Sequence, residues 1–170
     1  MIYRYFLIVI ACAALLVGIQ IPNFVDQYEK RLDAHFIEVA NNLKGFQEIA
    51  DKYFAGSIES LIAKHEGSED SVFQDEARPI RNIYERYLRF QAERAALATT
   101  FAGKVAHLAT NGDRELLRET YGNYSFALLL NTISVVCGFI AAAIAVLVIE
   151  FFRMIGLGLV HRMRTRQALQ

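Results

Sequence analysis

"GIQIPNFVDQYEKRLDAHF", residues 18–36, changes character at its centre. Before Pro22 the chain is apolar; after Asn23 a charged residue occurs every few positions. Either a leader peptide gives way to an exported domain here, or a membrane helix passes on into water. Upstream, no residue from Tyr5 to Ile21 is charged. A bilayer-spanning helix needs about 20 mostly apolar residues. The stretch reaches that length if it is counted from Met1, with Arg4 snorkelling and Tyr3 and Tyr5 at the interface. The alternative is a cleaved signal, with Met1–Arg4 as its basic end. No small-x-small site precedes the charged region. The lipoprotein-like Val9-Ile10-Ala11-Cys12 would leave the apolar "CAALLVGIQI" where a polar tether is expected. The reading is therefore an uncleaved anchor that ends at Pro22 and Asn23.

A second apolar stretch supports this. From Tyr124 to Ile149 the chain again carries no charge, which is enough to span a bilayer. The 54% hydrophobic content and mean hydropathy of +0.24 stand beside 21% charged residues. That combination fits two apolar segments flanking a polar one. Of the 18 cations, Arg4, Arg153, Arg162, Arg164 and Arg166 lie outside the central segment, against Glu150 alone of the 18 anions. A net charge of zero thus hides basic ends and an acidic middle. Basic flanks stay in the cytoplasm, so the expected location is a bacterial inner membrane with both termini inside. Residues of about 23–123 then lie in the periplasm. The expected boundaries are 1–22 for the first transmembrane helix, 23–123 for a periplasmic helical domain, 124–152 for the second transmembrane helix and 153–170 for a basic, lipid-facing cytoplasmic tail.

The central segment has a helical period. Val25, Tyr28, Leu32, Phe36, Val39, Leu43, Phe46, Ala50 and Tyr53 recur every three or four residues. Asn23 is placed to cap this helix and Gly56 to stop it. A short helix follows from Ser57 to about Glu66, then the turn "GSEDS". A second long run takes in Phe73, Ala77, Ile80, Ile83, Tyr84, Tyr87, Leu88, Ala95, Ala98, Phe101, Val105 and Leu108, with Pro79 marking a start or kink near Arg78. Asn111-Gly112-Asp113 ends it, and Asp113 is placed to cap a last short helix. The fold expected is all-α: two transmembrane helices flanking a periplasmic antiparallel helical hairpin or bundle. Its apolar stripe is assigned to Tyr28, Leu32, Phe36, Phe46, Tyr53, Ile83 and Tyr87, and the aromatics Phe54, Phe73 and Tyr84 are read as core. Ala14 with Gly18, and Gly138 with Ala142, put small residues four apart, a spacing that lets helices approach closely in a membrane.

Chemistry is sparse. Di-iron carboxylate bundles use Glu-x-x-His, whereas His35-Phe36-Ile37-Glu38 has the reverse order. His65 and His107 have weaker surroundings, and His161 sits among arginines. Cys12 and Cys137 both fall in apolar stretches and imply no disulfide. The sequence holds no Cys-x-x-Cys, phosphate-binding glycine loop, Gly-x-Ser-x-Gly or His-Glu-x-x-His. No charge interrupts either apolar stretch, which argues against an ion pathway. We therefore assign no catalytic, cofactor or metal-binding residue, no nucleic acid partner and no small-molecule substrate. The expected partners are membrane lipids and other integral membrane proteins or a second copy.

"QIPNFVDQYEKRLDAHFIEV" (20–39), "GFQEIADKYF" (45–54), "SIESLIAKHEGSEDSVFQDEA" (57–77) and "RETYGNYSFALLL" (118–130) resemble an uncharacterised family of small bacterial inner-membrane proteins labelled domain of unknown function 2937. The resemblance implies a bacterial origin and this topology, and no activity. Two roles are expected. The first is a non-enzymatic accessory or scaffolding subunit, acting in a larger membrane assembly or homo-oligomer through its periplasmic helices. The second is a periplasmic sensory or regulatory module that signals through a partner.

Overall fold

The structure, a computed structural model, describes residues 2–127 and 131–167, with side chains up to Ile155. Among these residues all regular structure is helical: α1 (Ile2–Tyr53), α2 (Ile58–Glu66), α3 (Ser71–Leu97), α4 (Phe101–Thr110), α5 (Arg114–Gly122) and α6 (Thr132–Gln167). The chain forms two compact units, Met1–Phe24 with Ser125–Gln170, and Val25–Tyr124.

In the first unit, α1 and α6 are each long and apolar enough to cross a membrane. Only 17% and 11% of their apolar windows are buried, so neither window packs as the core of a globular domain. They meet where both chains lack side chains. A Cβ on Gly18 would stand 2.6 Å from the Cys137 carbonyl oxygen and 2.8 Å from the Gly138 Cα. A Cβ on Gly138 would stand 3.0 Å from the Leu15 carbonyl oxygen. Backbone cannot retreat as a flexible side chain can, so Gly18 leaves no room for a side chain, and a Cβ on Gly138 would also press on the Ile19 side chain at 2.9 Å. Ala141 also meets this crossing through its Cβ.

The expected helix break at Pro22 does not occur. Proline lacks the amide that the Gly18 carbonyl would accept, and α1 nevertheless continues through it. Nor does Asn23 cap a new helix. It is 3% exposed, and its Nδ2 donates to the Ser125 carbonyl at 3.0 Å and to Gln20 Oε1 at 3.4 Å. The second apolar helix also starts later than the charge-free stretch. Tyr124 to Ala127 are not helical; Asn131 Oδ1 accepts from the Ser134 amide at 2.8 Å, and α6 begins at Thr132. Absence of charge marks apolar sequence, whereas a helix start is set by such a cap. At its other end α6 runs past Arg153 to Gln167, so the expected boundary at residue 153 is not a break in the helix.

The second unit has two apolar clusters. Val25, Tyr28, Leu32, Val39, Phe90, Leu97, Leu108 and Leu116 form one. Leu43, Ala50, Ile58, Leu61, Ile62 and Ile80 form the other, and Ile83 and Tyr87 pack against both. Partners of α1 lie progressively earlier in α3: Glu93 for Tyr28, Tyr87 for Phe36, Ile80 for Leu43 and Ala50. The single long run from Phe73 to Leu108 is broken instead into α3 and α4. Thr100 caps α4 after the break, its hydroxyl oxygen accepting from the Gly103 amide at 3.3 Å. Pro79 lies inside α3, which starts at the Asp70 cap.

Two aromatics assigned to the core are not in it. Tyr53 is 66% exposed and Phe73 48%. Tyr53 is the last residue of α1; the chain then turns through Ala55 at φ 50° and Gly56 at φ 85°, and the partly buried Phe54 packs inward in its place. Phe90, 1% exposed, is a core aromatic that the periodicity had passed over.

Gly18→Val should cost about 1–3 kcal/mol by overpacking, read as a lower thermal midpoint in lipid nanodiscs. Gly45→Ala is the control. A methyl there meets nothing within 4 Å, and replacing a mid-helix glycine should stabilise by about 0.5–1 kcal/mol.

Candidate functional site

The most developed polar site lies inside the helical unit Val25–Tyr124. Tyr28 is fully buried on α1, and Glu93 on α3 is 8% exposed. The Tyr28 hydroxyl donates to Glu93 Oε1 at 2.5 Å. His107 Nε2, on α4, is 3.0 Å from Glu93 Oε2. The Asp113 amide donates to the Tyr28 oxygen at 3.0 Å and makes a longer contact to Glu93 Oε1 at 3.4 Å. Asp113 then caps α5, accepting from the Leu116 amide at 3.0 Å, while its Oδ2 is 3.4 Å from Arg89 Nε. Four helices are thus joined through one carboxylate. A buried carboxylate is tolerated only when its oxygens are partnered, and both Glu93 oxygens are. Burial drives the Tyr28 phenol well above its ordinary value, and its hydrogen bond to Glu93 raises it further.

A second cluster lies on neighbouring positions of the same helices. His35 Nε2 is 2.8 Å from Glu119 Oε2, and Arg31 approaches the same oxygen at 3.6 Å. The His35 hydrogen bond, followed by the nearby positive charge, holds the Glu119 carboxyl below the usual carboxylate range. His35 also stacks on Phe90 with centroids 5.7 Å apart. Glu38, its neighbour in the sequence motif, is farther away at 3.7 Å. Spacing along one helix thus identified the histidine but not its nearest acid, which lies on α5. Likewise nothing in the sequence tied His107 to Glu93. Among the described residues no group of three or more His, Cys, Asp or Glu is arranged to hold a metal ion.

A groove of about 370 Å³ opens between the end of α1, α2 and the start of α3. Ile49, Tyr53, Phe54, Leu61 and Phe73 line it, together with Lys64, His65 and Ser68. His65 Nδ1 donates to the Leu61 carbonyl at 2.9 Å, and its ring meets Phe73 edge-on. Tyr53 and Phe73, assigned by period to the core, line this groove instead.

The other residues singled out by sequence fall as follows. Gly18 and Gly138 meet, as described above; Ala14 and Ala142 are half-buried on the same two helices. Tyr28 and Leu32 are buried, and Phe36, Phe46, Ile83 and Tyr87 pack against the clusters. Arg153 pairs with Glu150 at 3.0 Å and lies over the Tyr3 ring at 4.6 Å, while the Tyr3 hydroxyl donates to Glu150 at 2.9 Å. The side chains of Arg162, Arg164 and Arg166 lie outside the described ones.

Among the described residues the fold defines an all-helical protein with two membrane-length helices and a helical unit between them in sequence. The chain belongs to the family described as Protein of unknown function (DUF2937), which it matches over residues 2–162. No curated protein and no solved structure matches it.

Tyr28→Phe should cost about 1–3 kcal/mol, because Glu93 stays buried with one donor fewer. The pH dependence has a definite sign. Unfolded tyrosine ionises near pH 10, whereas the folded unit keeps the Tyr28 proton. This contribution is complete below about pH 10 and is lost as pH rises further. Denaturation followed by circular dichroism should show an alkaline decline that Tyr28→Phe flattens. At the acid end the lowered Glu119 contributes above the ordinary carboxylate range and is lost as pH falls through its folded value, so Glu119→Gln should flatten that limb.

Proposed function

We propose that this protein is a non-enzymatic integral protein of a bacterial inner membrane. In this reading α1 and α6 cross the bilayer, both termini are cytoplasmic, and the unit Val25–Tyr124 is a periplasmic helical hairpin completed by short helices. Its role is that of an accessory or scaffolding subunit in a larger membrane assembly or a homo-oligomer. The observation that carries the reading is the large apolar surface of the first unit. Val9 is 66% exposed, Phe139 63% and Leu147 68%, and the buried side of both helices is narrow. Lipid or other apolar helices must cover such a surface. The acidic middle and basic ends of the chain supply the orientation.

A second reading is a sensory or regulatory module acting through a partner. The groove at Ile49, Tyr53 and Phe73 favours it, since a recess in a unit that lies in sequence between two membrane-length helices is the layout a sensor uses.

Two measurements test the proposal. Alkaline phosphatase fused after Gly56 should be active and the same enzyme fused after Gln170 inactive; the opposite pattern removes the orientation. Native mass determination after gentle extraction should give a stoichiometric complex or a homo-oligomer. A bare monomer that cross-links to no neighbour would remove the scaffolding role and leave the sensory one.

A further inference from the structure

We infer that the groove between α1, α2 and α3 binds a small anionic amphiphile, an apolar chain carrying one negatively charged head group. The inference concerns the helical unit alone and does not depend on the accessory role proposed above. The groove is about 370 Å³, within the range that small-molecule sites occupy. Eight residues line it, far fewer than the roughly 20–30 that each side of a stable protein interface contributes. Its size therefore suits a small ligand better than a protein.

The lining sets the ligand's chemistry. Ile49, Phe54, Leu61 and Phe73 provide apolar walls, and α1 ends on Tyr53 with its ring facing outward, 66% exposed. Val72, next to Phe73, is 62% exposed. Exposed apolar side chains gathered round a recess mark a binding site more often than scattered ones do. An apolar chain laid between these walls removes that surface from water, worth roughly 25 cal/mol per Å². The charge comes from Lys64. It lines the groove, and among the described residues it has no carboxylate partner and no hydrogen bond. His65 cannot take this role. Its Nδ1 is committed to the Leu61 carbonyl and its Nε2 faces Glu76 at 3.8 Å. Glu59 and Glu66, the acids of α2, are engaged by Tyr84 and Arg81. A lysine ammonium among the side chains that line an apolar recess matches a carboxylate or phosphate carried on a hydrocarbon chain. A neutral ligand of the same shape leaves that charge unanswered.

The test uses the full chain in nanodiscs of phosphatidylethanolamine and phosphatidylglycerol, with a photoactivatable diazirine analogue of decanoic acid. After illumination, peptide mass spectrometry should find label between residues 49 and 73, in addition to any label on residues 2–24 and α6 from acid dissolved in the bilayer. Excess decanoate should remove the groove label at a concentration about twofold to fivefold lower than decanol needs. Lys64→Gln should weaken groove labelling about twofold to fivefold, the value of one exposed ion pair, and leave the label on residues 2–24 and α6 unchanged. Ile49→Trp, which fills the groove, should abolish groove labelling while the circular dichroism spectrum stays helical. A second arm uses phosphatidylglycerol with the diazirine on an acyl chain: groove label from it identifies a membrane lipid as the source, and label from the acid alone identifies a free acid. Label confined to residues 2–24 and α6, equal competition by decanol, or no effect of Lys64→Gln would each overturn the inference.

Discussion

The Glu93 carboxylate is the constraint around which the helical unit is organised. Removing a charge from water costs several kcal/mol unless its oxygens are bonded, and the bonds come from three other helices. Tyr28 reaches it from α1, His107 from α4, and the Asp113 amide closes the ring where α5 starts. Shifting any of these helices by a turn would strand the charge. The network therefore fixes the register of a unit whose apolar packing alone is permissive, since Leu, Ile and Val stripes fit together in more than one way. Around it the near cluster adds magnitude: burying a side chain such as Phe90 is worth about 1.5–3 kcal/mol.

The apolar unit solves a different problem. Hydrophobic attraction between two helices disappears where the surroundings are equally apolar, and close packing must replace it. Gly18 and Gly138 supply that packing by bringing backbone against backbone. Pro22 and Asn23 sit just beyond. Proline removes an amide from the helix, and Asn23 uses its side chain to hold the start of the returning segment at Ser125. Both residues are the ones that read, in sequence, as a helix end. The difference is that buried prolines persist inside long helices when neighbouring groups re-satisfy the freed backbone.

Much of the fold was legible because it rests on local rules. The two apolar stretches, the three-to-four spacing from Val25 to Ala50, the stop at Gly56 and the cap at Asp113 each depend on a few neighbouring residues. Boundaries were less legible. Tyr124 is charge-free like Ile133, yet only the Asn131 cap decides where α6 begins. One apolar run divides into two helices, and the second is marked only by the Thr100 cap, a feature too small to stand out against an unbroken period. Tyr53 kept the period and lost the burial, because the helix ends under it.

The sequence by itself determined the class of fold, the two apolar helices and the charge difference between the ends and the middle, because hydropathy and period are properties of consecutive residues. It also named Gly18 and Gly138 as small residues, though not as each other's neighbours. The pairings were decided by tertiary structure alone: Glu93 with Tyr28 and His107, Glu119 with His35, and Lys64 beside an apolar groove with no carboxylate partner among the described residues. These residues lie far apart in the chain, and side chains on different helices meet only once packing has set helix order, direction and register.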